Sequence, residues 1–393
     1  MCGFGFELID PSLSPMCKLF KVLGVAGITY YAWTYSKFDR LFHNLGLGKG
    51  LAYPILKGKT KTDISTIYRF TLPAGLSIKD FDDKKEAIEN YIGAEVDMKY
   101  TYKEIMIEVY NSNKKTFYEY VPTKVKGEVP IIIGYDIREE LISCDLSSGE
   151  PHMGIYGESG SGKSTIIRTI ITNLILMSDV TLHLVDLKNG AEFNLFRNSS
   201  KVASFCRNTK ETHDLLMSLS IEVDRRYDLF YEKDVKDIKE YNKKFKLKKM
   251  DYQILIVDEF ADLDAKSDDM NLLKLLARKS RACGIHILLS TQRPSSKILD
   301  GDIKANITSI LGLKTINSTN SSIIIDEVGL EKLRGNGHAK FKRGGKLIEV
   351  QCPFLDTDPC KELIKHTYVN KQKPKQTKNG QLTDEDIFNA VGW

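Results

Sequence analysis

The segment Gly157-Glu-Ser-Gly-Ser-Gly-Lys-Ser164 satisfies the pattern GxxxxGK[ST] in full. Glycines at this spacing let successive backbone N–H groups wrap a run of phosphates, while the lysine reaches the β and γ oxygens. Gly157, Glu158, Ser159, Gly160, Ser161, Gly162, Lys163, Ser164 and Thr165 are therefore the candidate residues for ATP, with Lys163 the candidate catalytic cation. The Ser164 hydroxyl is a candidate ligand for Mg²⁺. A helix expected from Thr165 to about Met177 would add the positive end of its dipole.

A second chemical signal follows about a hundred residues later, in Ile254-Leu-Ile-Val-Asp258-Glu259. An apolar strand of this kind delivers its last side chains to the edge of a sheet, where Asp258 can hold the Mg²⁺ shell. Glu259 is then placed to polarise a water against the γ-phosphate, a role that separates hydrolases from P-loop kinases and Ras-like switches. A third polar group, Ser290-Thr291-Gln292, ends the next apolar run, and Thr291 and Gln292 are candidate sensors of the γ-phosphate.

These residues need a frame. Between residues 129 and 355 short apolar runs (Met153–Tyr156, Leu182–Val185, Ile254–Val257, Ile285–Leu289, Ile310–Leu313) alternate with longer helical stretches. Continuous apolar strands separated by helices predict an α/β fold with a mainly parallel sheet covered on both faces. Residues 61–128 read as a small α/β module: a strand over Ile67–Leu72, a helix from Ser77 to Ile92, and strands near Val96–Tyr102 and Glu104–Tyr110. Residues 356–393 read as a polar, lysine-rich tail with a short helix near Asp384–Val391.

Composition is that of a soluble globular chain: 393 residues, 42% hydrophobic, 28% charged, formal charge +5. The seven cysteines are scattered and never spaced CxxC, which argues against a zinc site or disulfide framework and for a reduced, cytoplasmic setting. Residues 1–60 contain an uncharged run, Val22–Ser36, flanked by Lys18, Lys21, Lys37 and Arg40. It is short for a spanning helix and carries no cleavage site, so an anchor through residues 19–36 and a buried or surface-lying helix both stay open. Lys243, Lys244, Lys246, Lys248 and Lys249 form a basic cluster that is either a phosphate-tracking surface or a solvated helix end.

The chain resembles the FtsK/SpoIIIE family from about Ile133 to Phe354. The resemblance rests on Pro151-His152, Glu222-Val-Asp-Arg-Arg-Tyr227, Ile256-Val-Asp-Glu-Phe-Ala-Asp-Leu263, Arg281-Ala-Cys-Gly-Ile-His286, Thr291-Gln-Arg-Pro294, Asp302-Ile-Lys-Ala-Asn306 and Gly335-Asn-Gly337. Thr71-Leu-Pro-Ala-Gly-Leu-Ser77 and Asp186-Leu-Lys-Asn-Gly190 look like coupling ATPases of Gram-positive conjugative elements. What this implies is a RecA-like P-loop NTPase in a homo-hexameric ring, with double-stranded DNA in the channel and a relaxase or membrane channel as partner. The resemblance makes Arg281 the arginine that completes a neighbour's site. It also marks Ser322, where family members often carry arginine, as a departure, and the tail lacks the pattern of an orientation-reading winged helix. An FtsK-like secretion ATPase with a protein substrate and an ATP-binding docking scaffold for a relaxase are the alternative readings.

Overall fold

The computed structural model describes residues 29–48, 52–101, 103–110, 115–188, 190–263 and 267–369. They fall into two compact units, divided between Lys114 and Lys115.

In the first unit a four-stranded antiparallel sheet runs in the order β1-β2-β4-β3, from Leu56–Lys61 (β1), Ser65–Thr71 (β2), Val96–Thr101 (β3) and Glu104–Tyr110 (β4). Where the sequence reading has one helix over 77–92, there are two, Ile78–Asp82 and Lys85–Ile92. The chain breaks at Asp83 and Lys84 and resumes so that Phe81 and Ile88 both face the core. A helix over Thr29–Asn44 packs Phe38 and Phe42 against Phe70, with ring centroids 5.0 Å apart in each pair. Residues on both sides of position 60 thus share one core. Most of the run read as a candidate anchor, residues 19–28, lies outside the described residues. Among the described residues no helix is long and apolar enough to cross a membrane.

The second unit is built on a ten-stranded sheet. Its strands are Pro130–Tyr135 (β5), Leu141–Asp145 (β6), His152–Tyr156 (β7), Val180–Asp186 (β8), Val202–Cys206 (β9), Tyr252–Asp258 (β10), Ile285–Thr291 (β11), Ser309–Leu313 (β12), His338–Arg343 (β13) and Lys346–Gln351 (β14). The order is β6-β5-β14-β13-β12-β7-β11-β10-β8-β9. The stretch from β12 to β9 is parallel, and β13, β14, β5 and β6 continue it antiparallel. Every residue of β7, β10 and β11 is buried, as a sheet covered on both faces requires. Strand β11 lies between β7 and β10.

Two boundaries differ from the sequence reading. Residues 115–128 belong with the larger unit: Tyr120 Oη donates to Asn173 Oδ1 at 3.0 Å and the Thr123 amide to the same oxygen at 3.1 Å. The polar stretch from residue 356 begins as a helix, Thr357–Ile364, whose Cys360 and Ile364 are fully buried. There the Thr172 hydroxyl lies 3.1 Å from Cys360 Sγ, and the Val369 amide donates to Asn198 at 2.8 Å. A few apolar residues on one face suffice to bury a helix whose composition reads as tail. The helix expected near Asp384–Val391 lies outside the described residues.

Candidate active site

Parallel strands β7, β11, β10 and β8 all end at one edge of the sheet, and each contributes to the site there. The chain leaving β7 turns at Gly157 and enters the Lys163–Met177 helix. Gly160 and Gly162 have φ of +79° and +104°, the left-handed region that glycine adopts without strain. A Cβ on Gly162 would come within 2.7 Å of the Gly337 nitrogen, so this position is closed to side chains by space as well. The Gly337 amide donates to the Ser161 carbonyl at 2.9 Å, and the Glu158 amide to the Lys314 carbonyl at 2.9 Å. The loop is thereby braced from behind by Gly335-Asn-Gly337 and the end of β12. The Ser161 hydroxyl is buried with no protein partner.

The Lys163 ammonium is hydrogen-bonded to Asp258 Oδ1 and lies 3.3 Å from Ser290 Oγ, which itself donates to Asp258 Oδ1 at 2.7 Å. Both charged side chains are buried. Burial alone would push the Asp258 carboxyl up, but Lys163 and the Ser290 hydroxyl outweigh it and hold its pKa below the ordinary 3.8. Asp258 Oδ2 is buried without a partner, an acceptor of the kind a divalent cation or its bound water satisfies. With the Ser164 hydroxyl one residue past Lys163 on the same helix start, the donors present fit Mg²⁺ beside a triphosphate.

Glu259 has a left-handed backbone, φ 54° and ψ 52°, which ends β10 abruptly and turns its side chain away from that of Asp258. Its Oε1 accepts from the Thr291 hydroxyl at 2.6 Å, and both carboxylate oxygens lie 3.1 Å from the Gln292 amide. The intervening strand β11 therefore supplies the anchors for both acids, Ser290 to Asp258 and Thr291 and Gln292 to Glu259. A contact the sequence reading missed completes the group: Lys188 Nζ lies 3.5 Å from Glu259 Oε2. Lys188 sits in the Asp186–Gly190 segment, whose Asp186 carboxylate is buried and accepts from the amides of Lys188, Glu192 and Phe193.

Lys163, Asp258, Glu259 and Gln292 are thus brought to one edge. Arg281 is not. It is exposed, in the turn leading into β11, whose seven residues separate that turn from Thr291 by roughly 20 Å. It cannot serve the P-loop of its own chain.

A P-loop at the end of a central strand, with an extra strand between it and the strand carrying the acidic pair, defines a P-loop NTPase. Residues 120–296 match the FtsK/SpoIIIE family model, so that stretch is an FtsK/SpoIIIE-type domain. It is 33% identical over 281 residues to the DNA translocase FtsK of Oceanobacillus iheyensis, covering 65% of this chain and 36% of that protein. It is 31% identical over 388 residues to the DNA translocase FtsK of Treponema pallidum, covering 90% and 47%. The chain therefore spans about a third to a half of the length of these relatives. Among solved structures, the pCW3 conjugation coupling protein TcpA, in monomer form with ATPγS, shares the fold with a TM-score of 0.60 at 23% identity, over 84% of this chain and 99% of that one.

Proposed function

We propose that this chain hydrolyses ATP and uses the energy to move double-stranded DNA. The observation that carries the reading is the placement of two carboxylates with separate partners at the P-loop edge, Asp258 with Lys163 and Glu259 with Thr291 and Gln292. Gly157–Thr165 would cradle the triphosphate, and Lys163 would exchange Asp258 for the β and γ oxygens. Ser164 and Asp258 would hold Mg²⁺, which when bound neutralises charge on the phosphates. Glu259 would orient the attacking water and Gln292 would report on the γ-phosphate.

Relatives named as DNA translocases support DNA as the substrate. In this reading the protein works as a homo-hexameric ring, and the placement of Arg281 far from its own P-loop supports its use by a neighbouring subunit. The Asp186–Gly190 and Thr71–Ser77 segments support transfer of mobile-element DNA, with a relaxase or membrane channel as partner. The test is the rate of ATP hydrolysis with and without duplex DNA, alongside the mass of the assembly. A rate that rises with DNA in a six-subunit particle supports the reading; a rate indifferent to DNA but raised by a protein substrate overturns it.

A further inference from the structure

Glu259 is nearly saturated with donors. Thr291, the last residue of β11, and Gln292, the next residue, reach it from that strand end, where the main chain of Thr291 is fixed by the sheet. Lys188 is the remaining partner and differs in kind. Its backbone is pinned by Asp186 at the end of β8, but its side chain is 37% exposed while that of Glu259 is 2% exposed. The pair joins a buried carboxylate to a cation whose far side is open to solvent. At 3.5 Å the contact is an ion pair without tight hydrogen-bond geometry, so another anion can draw the ammonium away.

A carboxylate offers about four acceptor positions; Thr291 and the Gln292 amide occupy Oε1, which leaves Oε2, the atom beside Lys188, as the oxygen less taken up by neutral donors. We propose that Lys188 restrains Glu259, and that a phosphate group competing for its ammonium frees the carboxylate to orient the attacking water. Lys188 is then a positioning residue whose release couples hydrolysis to an anionic ligand. This rests on Glu259 acting as the water-orienting acid. Two sources offer the same phosphate chemistry, the γ-phosphate of the bound nucleotide and the backbone of the duplex.

The experiment uses the full chain carrying Lys188→Met, which keeps length and loses charge, and Lys188→Arg, which keeps charge. Hydrolysis at saturating ATP is measured with and without a duplex of fixed length, and affinities for ATPγS and ADP are measured in parallel. Lys188→Met should raise the DNA-free rate roughly 5–10-fold, the low end of usual coupling between two ligand sites. If DNA is the competitor, the stimulation ratio falls toward one and the ATPγS-to-ADP preference stays native. If the γ-phosphate is, that preference shrinks and stimulation by DNA persists. Lys188→Arg should keep the native values in both arms. A Lys188→Met protein with native rate, stimulation and preference overturns the proposal, and so does one that binds ATPγS but no longer hydrolyses ATP. Glu259→Gln in the same assay separates the two failures: normal hydrolysis there removes Glu259's role, whatever Lys188 does.

Discussion

The guanidinium of Arg226 donates to the carbonyl oxygen of Cys283 at 2.7 Å. Arg226 is buried and ion-paired with buried Glu222, and it also donates to the Asp251 carbonyl at 3.0 Å. Tyr227, the next residue, donates its hydroxyl to the Lys279 carbonyl at 2.8 Å. Together they clamp both ends of the turn that carries Arg281. A surface arginine on so firmly held a turn fits the proposed use of Arg281 by a neighbouring subunit.

Arg281→Ala should therefore cripple turnover, by roughly 10³–10⁵ if it acts as a trans arginine, while sparing nucleotide affinity. Mixing Arg281→Ala subunits with Glu259→Gln subunits should recover part of the activity, since each retains the half-site the other lacks. Full activity of Arg281→Ala alone would end this assignment.

Glu259→Gln preserves shape and the contacts from Thr291 and Gln292 but loses the proton acceptor. It should bind ATP and hydrolyse it about 10²–10⁴-fold more slowly. Nucleotide binding and single-turnover rates check this; failure to bind ATP would give Glu259 a structural role instead.

Lys163→Ala should abolish nucleotide binding or turnover. It also leaves Asp258 buried without its cation, so a loss of about 3–5 kcal/mol in folding stability is expected for breaking a buried pair. Restoring neutrality with Lys163→Ala/Asp258→Asn should recover much of the stability and none of the turnover. A native melting curve for Lys163→Ala would contradict the buried pair.

The site was legible in the sequence where chemistry is contiguous. The glycine loop, the Asp258-Glu259 pair and the Ser290–Gln292 strand end all occupy the predicted edge, because a parallel strand delivers its last residues there without help from elsewhere. What stayed hidden depends on pairs far apart in the chain. Lys188 looks like any loop lysine until β8 is set beside β10, where Asp186 aligns with Asp258. Gly335-Asn-Gly337 carries only a family resemblance in the sequence, and its bracing of the loop at Ser161 emerges from the fold. The 115–128 segment and the Thr357–Ile364 helix carry too few apolar residues to announce burial, and their attachment rests on Asn173, Cys360 and Ile364.

Acid should destabilise the fold earlier than its carboxylates alone would. His152, His183 and His286 are buried, and burial pushes their pKa values from 6.5 down to about 3, 4 and 4. The Ile287 amide donates to His152 Nδ1 at 3.0 Å, which blocks that nitrogen from carrying a proton. The unfolded chain gains protons on these rings below 6.5 while the folded chain does not, so stability is fullest above 6.5 and falls toward pH 4. The slope should approach about 1.4 kcal/mol per pH unit for each histidine. Thermal melts between pH 7 and 4.5 test it, and a flat profile would mean the rings are protonated in the fold.

Lys243, Lys246 and Lys249 line one cleft together with Lys126 and Lys239, at the start of β10. Asp145 and Glu128 share that cleft, which tempers its positive charge. If the cleft contacts the duplex, binding should weaken with salt by a slope of about −0.9 per phosphate neutralised. Replacing Lys243, Lys244, Lys246, Lys248 and Lys249 together by glutamine should then flatten the slope by a few units. Contacts of this kind are to the backbone, so affinities for unrelated duplexes of equal length should agree within a few-fold both before and after the change. An unchanged slope would return the lysines to solvent, where their sequence pattern is equally at home. A strong preference for one short sequence would require base-reading elsewhere in the chain.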